Sequence, residues 1–352
     1  MQTPSTVSGS AATDLASGRL ARPSTGLPAL GTTTGNQDMA RIAELASQAD
    51  RRVIRRHVIS QVLLREFAAP AKRGCGLHVQ PYDLQHPQRR LKGRAPRGVG
   101  QIENFVPYAS ASLEAQWGAV EQELPDVFTA VKRGNALGDP HIRTVLRDLV
   151  ALHYVRSQHY RDLFHRVFAE AYQQRRGWLL TEGQELLRTA SLHRTGLHTT
   201  GPQGIALRAD QVLSPRLAAY RSGALLRVRI EDSFHKAREL MAQWSLEILE
   251  PEDGEFLIGD NPALTVRYEG TNLLYSMALG DSHTTVLPIG PRHMIALGPA
   301  DVHGRIPKHL VDHMNVLQLK AARRYAYTRP GSPLAALIRE IGPHWIADHP
   351  LQ

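Results

Sequence analysis

The chain has 352 residues, 42% of them hydrophobic, a single cysteine and a formal charge of +9. That length and hydrophobic content suffice for a sizeable core, while the lone cysteine excludes an intrachain disulfide and a thiolate-rich zinc site. No apolar run approaches the roughly 18–20 residues that cross a bilayer, and the first thirty residues lack the apolar segment of a secretory signal, so a cytoplasmic protein without a membrane partner is expected.

Residues 1–37 are mostly Ser, Thr, Gly, Ala and Pro. They hold too little apolar surface to offset the entropy of ordering, which predicts a disordered tail followed by a single α+β domain over residues 38–352. A helix is expected from Asp38 to Arg56. A mixed segment then runs from His57 to Phe105, with strand candidates at Leu77–Tyr82 and near Phe105.

The charge concentrates here. Between Arg51 and Arg97 stand twelve Lys or Arg against only Glu66 and Asp83, an excess as large as that of the whole chain. Such a segment is the footprint of a polyanion partner, either nucleic acid or a phosphorylated or sulfated substrate. It is also what a solvated Arg-rich surface looks like, and it lacks the interleaved aromatics of single-strand binders. Cys75, inside Arg73-Gly74-Cys75-Gly76, reads as part of a turn rather than as a nucleophile.

The central third reads as helical. From Leu113, the residues Trp117, Val120, Leu124, Val127 and Val131 recur at spacings of three and four, with Pro125 expected to kink the helix. A longer amphipathic stretch covers Ile142–Gln173, and a third helix Asp232–Gln243. Beyond it the period changes. Trp244–Glu250 and Glu255–Gly259 read as one β-hairpin, Val286–Ile289 and His293–Leu297 as a second, and Lys308–Tyr325 as a closing helix. The expected architecture is α+β, a central helical bundle packed with a C-terminal antiparallel sheet of β-hairpins.

One conflict with the helical pattern points to chemistry. At about 100° per residue, His153, Arg156 and Tyr160 share the stripe of Leu146, Leu149 and Phe164, the face that should be buried. An arginine cannot shed its proton, so a buried one demands a carboxylate or a bound anion. Glu114 and Glu121, seven residues apart on the preceding helix, are the candidate partners. A polar pocket for an anionic substrate, with a divalent metal held by carboxylate and histidine as a candidate cofactor, competes here with a structural Arg–Glu pair beside a core histidine. Phe256-Leu257-Ile258-Gly259-Asp260-Asn261-Pro262 runs an apolar strand into a turn, which suits Asp260 either as ligand or base or as an ordinary turn former. His57 is a third candidate, able to act as ligand or acid/base near neutral pH. No phosphate loop, dinucleotide fingerprint, His-Glu-x-x-His or nucleophile elbow occurs, so there is no nucleotide-cofactor signature.

Taken together, His57 opening Gln61-Val62-Leu63-Leu64-Arg65-Glu66-Phe67, the helical Arg156, the segment Trp244–Pro262 and Leu287-Pro288-Ile289-Gly290-Pro291 resemble a widespread, mostly bacterial family described only as a domain of unknown function. Its members read His-Tyr-x-Pro-Gln-x-x-Leu-Arg-x-Phe early and Ser-Asp-Asn-Pro late. Here Val58, Ser60 and Gly259 stand where that pattern has Tyr, Pro and Ser. The resemblance spans most of residues 55–328 and implies a shared fold and a set of polar positions, without a reaction.

The expected function is an enzyme, a hydrolase or lyase, acting on a phosphate-bearing substrate by metal-assisted or acid/base chemistry; a nucleic acid or nucleotide fits the basic segment best. Glu114, Glu121, His153, Asp260 and His57 are the expected catalytic groups, and Arg156, Arg65, Tyr160 and Asn261 the expected substrate contacts. Two alternatives stand beside it: a metal-free tailoring enzyme of specialised metabolism using elimination or acyl chemistry, and a non-catalytic nucleic-acid-binding protein.

Overall fold

The computed structural model describes residues 39–44, 55–71, 76–103, 111–199, 201–269 and 272–348. The described residues from Ile42 onward make one compact unit. The expected tail, Cys75 and Phe105 lie outside the described residues.

Helix α1 covers residues 39–44. The helix expected through Arg56 does not extend that far, because Arg55–His57 is strand β1, antiparallel to β5 (Gln101–Glu103). The short helix α2 (Gln61–Glu66) follows, then β2 (Ala69–Pro70), β3 (Leu77–His78) and β4 (Gln80–Asp83). Helix α3 (Ala111–Lys132) is one assigned helix with Pro125 inside it.

The stretch expected as one helix from Ile142 to Gln173 is two, α4 (Pro140–Val155) and α5 (Gln158–Leu180). The local chemistry explains both boundaries. The Asp139 side chain accepts the backbone N–H groups of His141 and Ile142 while Pro140 occupies the first turn, and Ser157 Oγ accepts the N–H of Tyr160 to start α5. Arg156 thus ends α4 rather than lying inside a helix. Helices α6 (Gln184–Thr195) and α7 (Gly201–Arg221) extend the helical part beyond the expected elements, and α8 (Ala224–Met241) begins eight residues earlier than expected.

Strands β6 (Ser245–Pro251) and β7 (Ile258–Gly259) occur where a hairpin was expected, but they do not pair with each other. The remaining elements are β8 (Leu264–Glu269), β9 (Asn272–Tyr275), β10 (Thr284–Gly290), β11 (His293–Gly298), β12 (Val302–Ile306), α9 (Lys308–Ala321), β13 (Tyr325–Thr328) and α10 (Ala335–Asp348). The six-stranded sheet runs β12-β6-β11-β10-β8-β9, with β10 and β11 forming the expected hairpin and β12 joining β6 in parallel. Strand β7 instead pairs with β13, which also pairs with β4.

Alternation along β11 sets the layers. Ile295 and Leu297 face a core shared with α2, α3, α4 and α8, whereas Met294 and Ala296 face a second core built on Val311 and Leu317 of α9. The molecule is therefore α+β, with a helical bundle against one face of a largely antiparallel C-terminal sheet and α9 against the other. A third apolar cluster, with Leu84, Leu257, Leu319, Ala326 and Ile338, packs β13 against α9 and α10. No described helix is long and apolar enough to cross a membrane.

Candidate functional site

Strands β4 and β13, the loop after β4 and the segment leading into β5 line a cleft of about 300 Å³. Its wall carries three guanidinium groups, Arg89, Arg94 and Arg324, together with Tyr325, Tyr327 and Gln101. Asp83 is the one acidic residue lining it among the described residues. Asp83 is almost fully buried and already engaged, accepting from Arg324 Nη2 at 3.1 Å and lying 3.4 Å from His86 Nδ1. Burial pushes its carboxyl pKa up, but the Arg324 bond and charge, with help from His86 and the Gln85 N–H, hold it below the usual value. The cleft therefore keeps an excess of positive charge.

A polar cluster adjoins this cleft through Gln101. The Nε2 atoms of Gln101 and His57 converge on the carbonyl oxygen of Arg97, at 2.8 and 3.2 Å, and lie 3.0 Å apart. Nδ1 of His57 faces Gln61 Nε2 at 3.5 Å. A proton on Nε2 donated to Arg97 leaves Nδ1 as the acceptor for Gln61. Burial lowers the His57 pKa first of all and Arg156 lowers it further, while the Arg97 carbonyl and Glu121 oppose them.

Of the two carboxylates expected as candidate partners of Arg156, Glu121 pairs with it. Arg156 Nη1 donates to Glu121 Oε1 at 2.7 Å, and the guanidinium lies over the Trp117 ring, 5.0 Å from its centroid. Arg156 is 8% exposed, and its Nε has no acceptor among the described residues. The break between α4 and α5 delivers it: as the C-cap of α4 it leaves the helix axis toward α3, where Trp117 and Glu121 stand one turn apart.

Several predicted catalytic and binding groups have other duties. His153 is fully buried, accepting the Ser60 N–H on Nε2 at 3.1 Å and donating from Nδ1 to the Leu149 carbonyl at 2.9 Å. Both ring nitrogens are used, and desolvation drives its pKa down to about 3, so it is a neutral core histidine. Tyr160 Oη lies 2.6 Å from Ser233 Oγ and donates to the Arg229 carbonyl, joining α5 to α8. Glu114 and Arg65 are exposed on α3 and α2.

Asp260 is a buried staple. Its carboxylate accepts the backbone N–H groups of Arg323 at 2.6 Å and of Arg324 and Tyr325 at 2.9 Å each. Burial pushes its pKa up against those three donors and the Arg323 charge. Asn261 Nδ2 donates to the last carbonyl of α9, that of Ala321, at 3.3 Å. Together they fix the turn that carries Arg324 and Tyr325 into the cleft, so Asp260 acts on the site by positioning it. Among the described residues, no three His, Cys, Asp or Glu side chains are placed to hold a metal ion.

The basic segment signalled part of this site in sequence, since Arg89 and Arg94 come from it. Asp83, Gln101, Arg324, Tyr325 and Tyr327 carried no signal, because nothing local tells that β4 and β13 become neighbours. Compared with curated proteins and with solved structures, the chain matches none. Residues 55–332, which hold every residue of the cleft and of the polar cluster, match the family described as protein of unknown function (DUF4238), and the chain belongs to that family.

Proposed function

We propose that the chain is an enzyme that binds a small phosphate-bearing substrate in the arginine-lined cleft and acts on it by acid/base chemistry drawn from His57. The observation that carries this reading is the charge of the cleft. Among the described residues Arg89 and Arg94 have no ion-pair partner, and Arg324 shares Asp83 with His86. Guanidinium groups without carboxylates match the oxygens of a phosphate, and about 300 Å³ lies at the small end of ligand sites. Tyr325 and Tyr327 add aromatic surface for a planar group such as a nucleobase. His57, held below its ordinary pKa, is a neutral base at physiological pH.

Calorimetric titration with inorganic phosphate, adenosine monophosphate and oligothymidine tests the reading. Saturable binding of phosphate and of the nucleotide is expected, weakened at least tenfold in Arg94→Gln and Arg324→Gln, since a charge-assisted hydrogen bond contributes about 1.5–3 kcal/mol. Release of phosphate from the bound nucleotide, or its elimination from a phosphorylated substrate, should stop in His57→Asn while binding persists. Wild-type protein that ignores phosphate and nucleotide alike would overturn the proposal.

A second reading rests on Arg89, Arg90, Lys92, Arg94 and Arg97, which are all exposed within one loop. It is a non-catalytic nucleic-acid contact. Tight oligothymidine binding with a steep loss of affinity in salt, together with indifference to adenosine monophosphate, would favour it over the enzyme.

A further inference from the structure

The arginine cleft carries more positive charge than its own residues neutralise. Arg89, Arg94 and Arg324 line it, and among the described residues Asp83 is the one carboxylate that lines it with them. Asp83 gives its charge to Arg324, at 3.1 Å, and also meets the exposed ring of His86 at 3.4 Å. Arg89 and Arg94 have no ion-pair partner among the described residues, so two guanidinium charges stay unanswered. Asp260 acts on Arg324 electrostatically, but it does not line the cleft, and its oxygens are spent on three backbone amides.

The loop that carries these two cations is tied down at three points. Gln80 Nε2 donates to the Leu91 carbonyl at 2.8 Å, Val79 and Arg94 exchange both backbone hydrogen bonds at 2.9 and 3.0 Å, and the Arg89 N–H donates to the His86 carbonyl at 2.9 Å. The backbone under both arginines is thus fixed before any ligand arrives, which lowers the ordering cost of binding. At about 300 Å³ the cleft suits one compact ligand, so the negative charge it calls for has to sit on a single small group.

We infer that the cleft takes the free, doubly charged end of a phosphate monoester and discriminates against phosphodiesters and sulfate esters. The inference rests on the phosphate reading of this cleft and narrows it to one substrate class. A terminal phosphate offers three acceptor oxygens to the three guanidinium groups, and its second ionisation, with a pKa of about 6, gives it the two charges that Arg89 and Arg94 lack. A diester keeps the tetrahedral head but has two free oxygens and one charge, and a sulfate ester has three oxygens and one charge. Either leaves a guanidinium that cannot shed its proton without a counter-charge. The internal phosphates of a nucleic-acid strand are diesters, so the same reasoning separates a mononucleotide or other small monoester from a strand lying across the cleft.

The test is calorimetry on the full chain at pH 8 with inorganic phosphate, methyl phosphate, dimethyl phosphate and methyl sulfate at matched ionic strength. Methyl phosphate should bind saturably, at least tenfold more tightly than dimethyl phosphate or methyl sulfate. Arg89→Gln, at an exposed position, should narrow that ratio at least threefold, because only the dianion uses the second charge. The comparison of ligands is made on the wild-type protein, so it stands whether or not a variant folds. A ratio below tenfold, a ratio unchanged in Arg89→Gln, or binding of inorganic phosphate without methyl phosphate would each overturn the inference and leave the phosphate reading in place. Failure of all four to bind would overturn that reading, and the inference with it.

Discussion

The carboxylate of Asp260 accepts the backbone N–H of Arg323 at 2.6 Å, and with it the next two amides of the chain. One buried side chain thereby sets the course of residues 323–325. Arg323 turns to pair with Asp162 on α5, Arg324 turns to Asp83 in the cleft, and the Arg324 guanidinium lies over Tyr325, 5.0 Å from the ring centroid. Asp260→Asn keeps the shape but brings an NH₂ group against amide donors. It should lower stability to urea unfolding by about 2–4 kcal/mol and should also weaken phosphate binding in the fraction that folds. A loss below about 0.5 kcal/mol would show that the staple is dispensable.

His153 supplies a pH dependence with a definite sign. Its folded-state pKa is about 3 against an ordinary 6.5, so the unfolded chain binds the proton more readily at every pH between those values. Stability is complete above the unfolded pKa and falls as pH drops through the window. Wild type should lose about 2 kcal/mol more than His153→Gln between pH 7 and pH 5, at roughly 1.4 kcal/mol per pH unit. Parallel pH profiles for the two proteins would contradict the assignment of His153 as a neutral core group.

Glu121 and Arg156 act on His57 in opposite directions, the carboxylate raising its pKa and the guanidinium lowering it. Glu121→Gln should therefore move the His57 titration, followed by NMR, to lower pH. Because Arg156 would lose its counter-charge over Trp117, the variant should also lose about 1–2 kcal/mol of stability, an amount limited by the partial exposure of Glu121. A His57 titration that stays in place would put the pair too far away to matter, and one that moves upward would contradict the sign.

Gly259 stands where the family pattern has Ser, and packing accounts for the difference. A β-carbon there would come within 2.9 Å of the Gln318 carbonyl oxygen and 3.2 Å of Ala322 Cβ, because β7 lies directly against the end of α9. Gly259→Ser should cost about 1–3 kcal/mol by overpacking, measured as a lower midpoint of denaturation. A neutral or stabilising outcome would mean that α9 yields at little cost.

Much of the fold was legible because it is written in short-range periods. The apolar repeat from Trp117 to Val131 gives α3, and the short apolar runs Val286–Ile289 and His293–Leu297, separated by Gly290-Pro291-Arg292, give the β10–β11 hairpin. Even Arg156 could be paired with Glu121, since a permanent charge on a buried face has few ways to be satisfied. His153 shows the limit of the same argument. Periodicity placed it on the buried face, but only the approach of the Ser60 amide, 93 residues away, decided that its ring would be a filled hydrogen-bonding link rather than a free base.

The sequence by itself determined the α+β class, the helical centre, the concentration of basic residues before residue 97 and the family motifs. Each of these is a property of neighbouring residues. Only the tertiary structure decided that β7 pairs with β13 instead of β6, that Asp260 spends its charge on three backbone amides, and that Arg89, Arg94 and Arg324 meet across one cleft. Those outcomes depend on which distant strands bury each other's surfaces. That choice is settled by the summed packing of the whole core, and no local pattern encodes it.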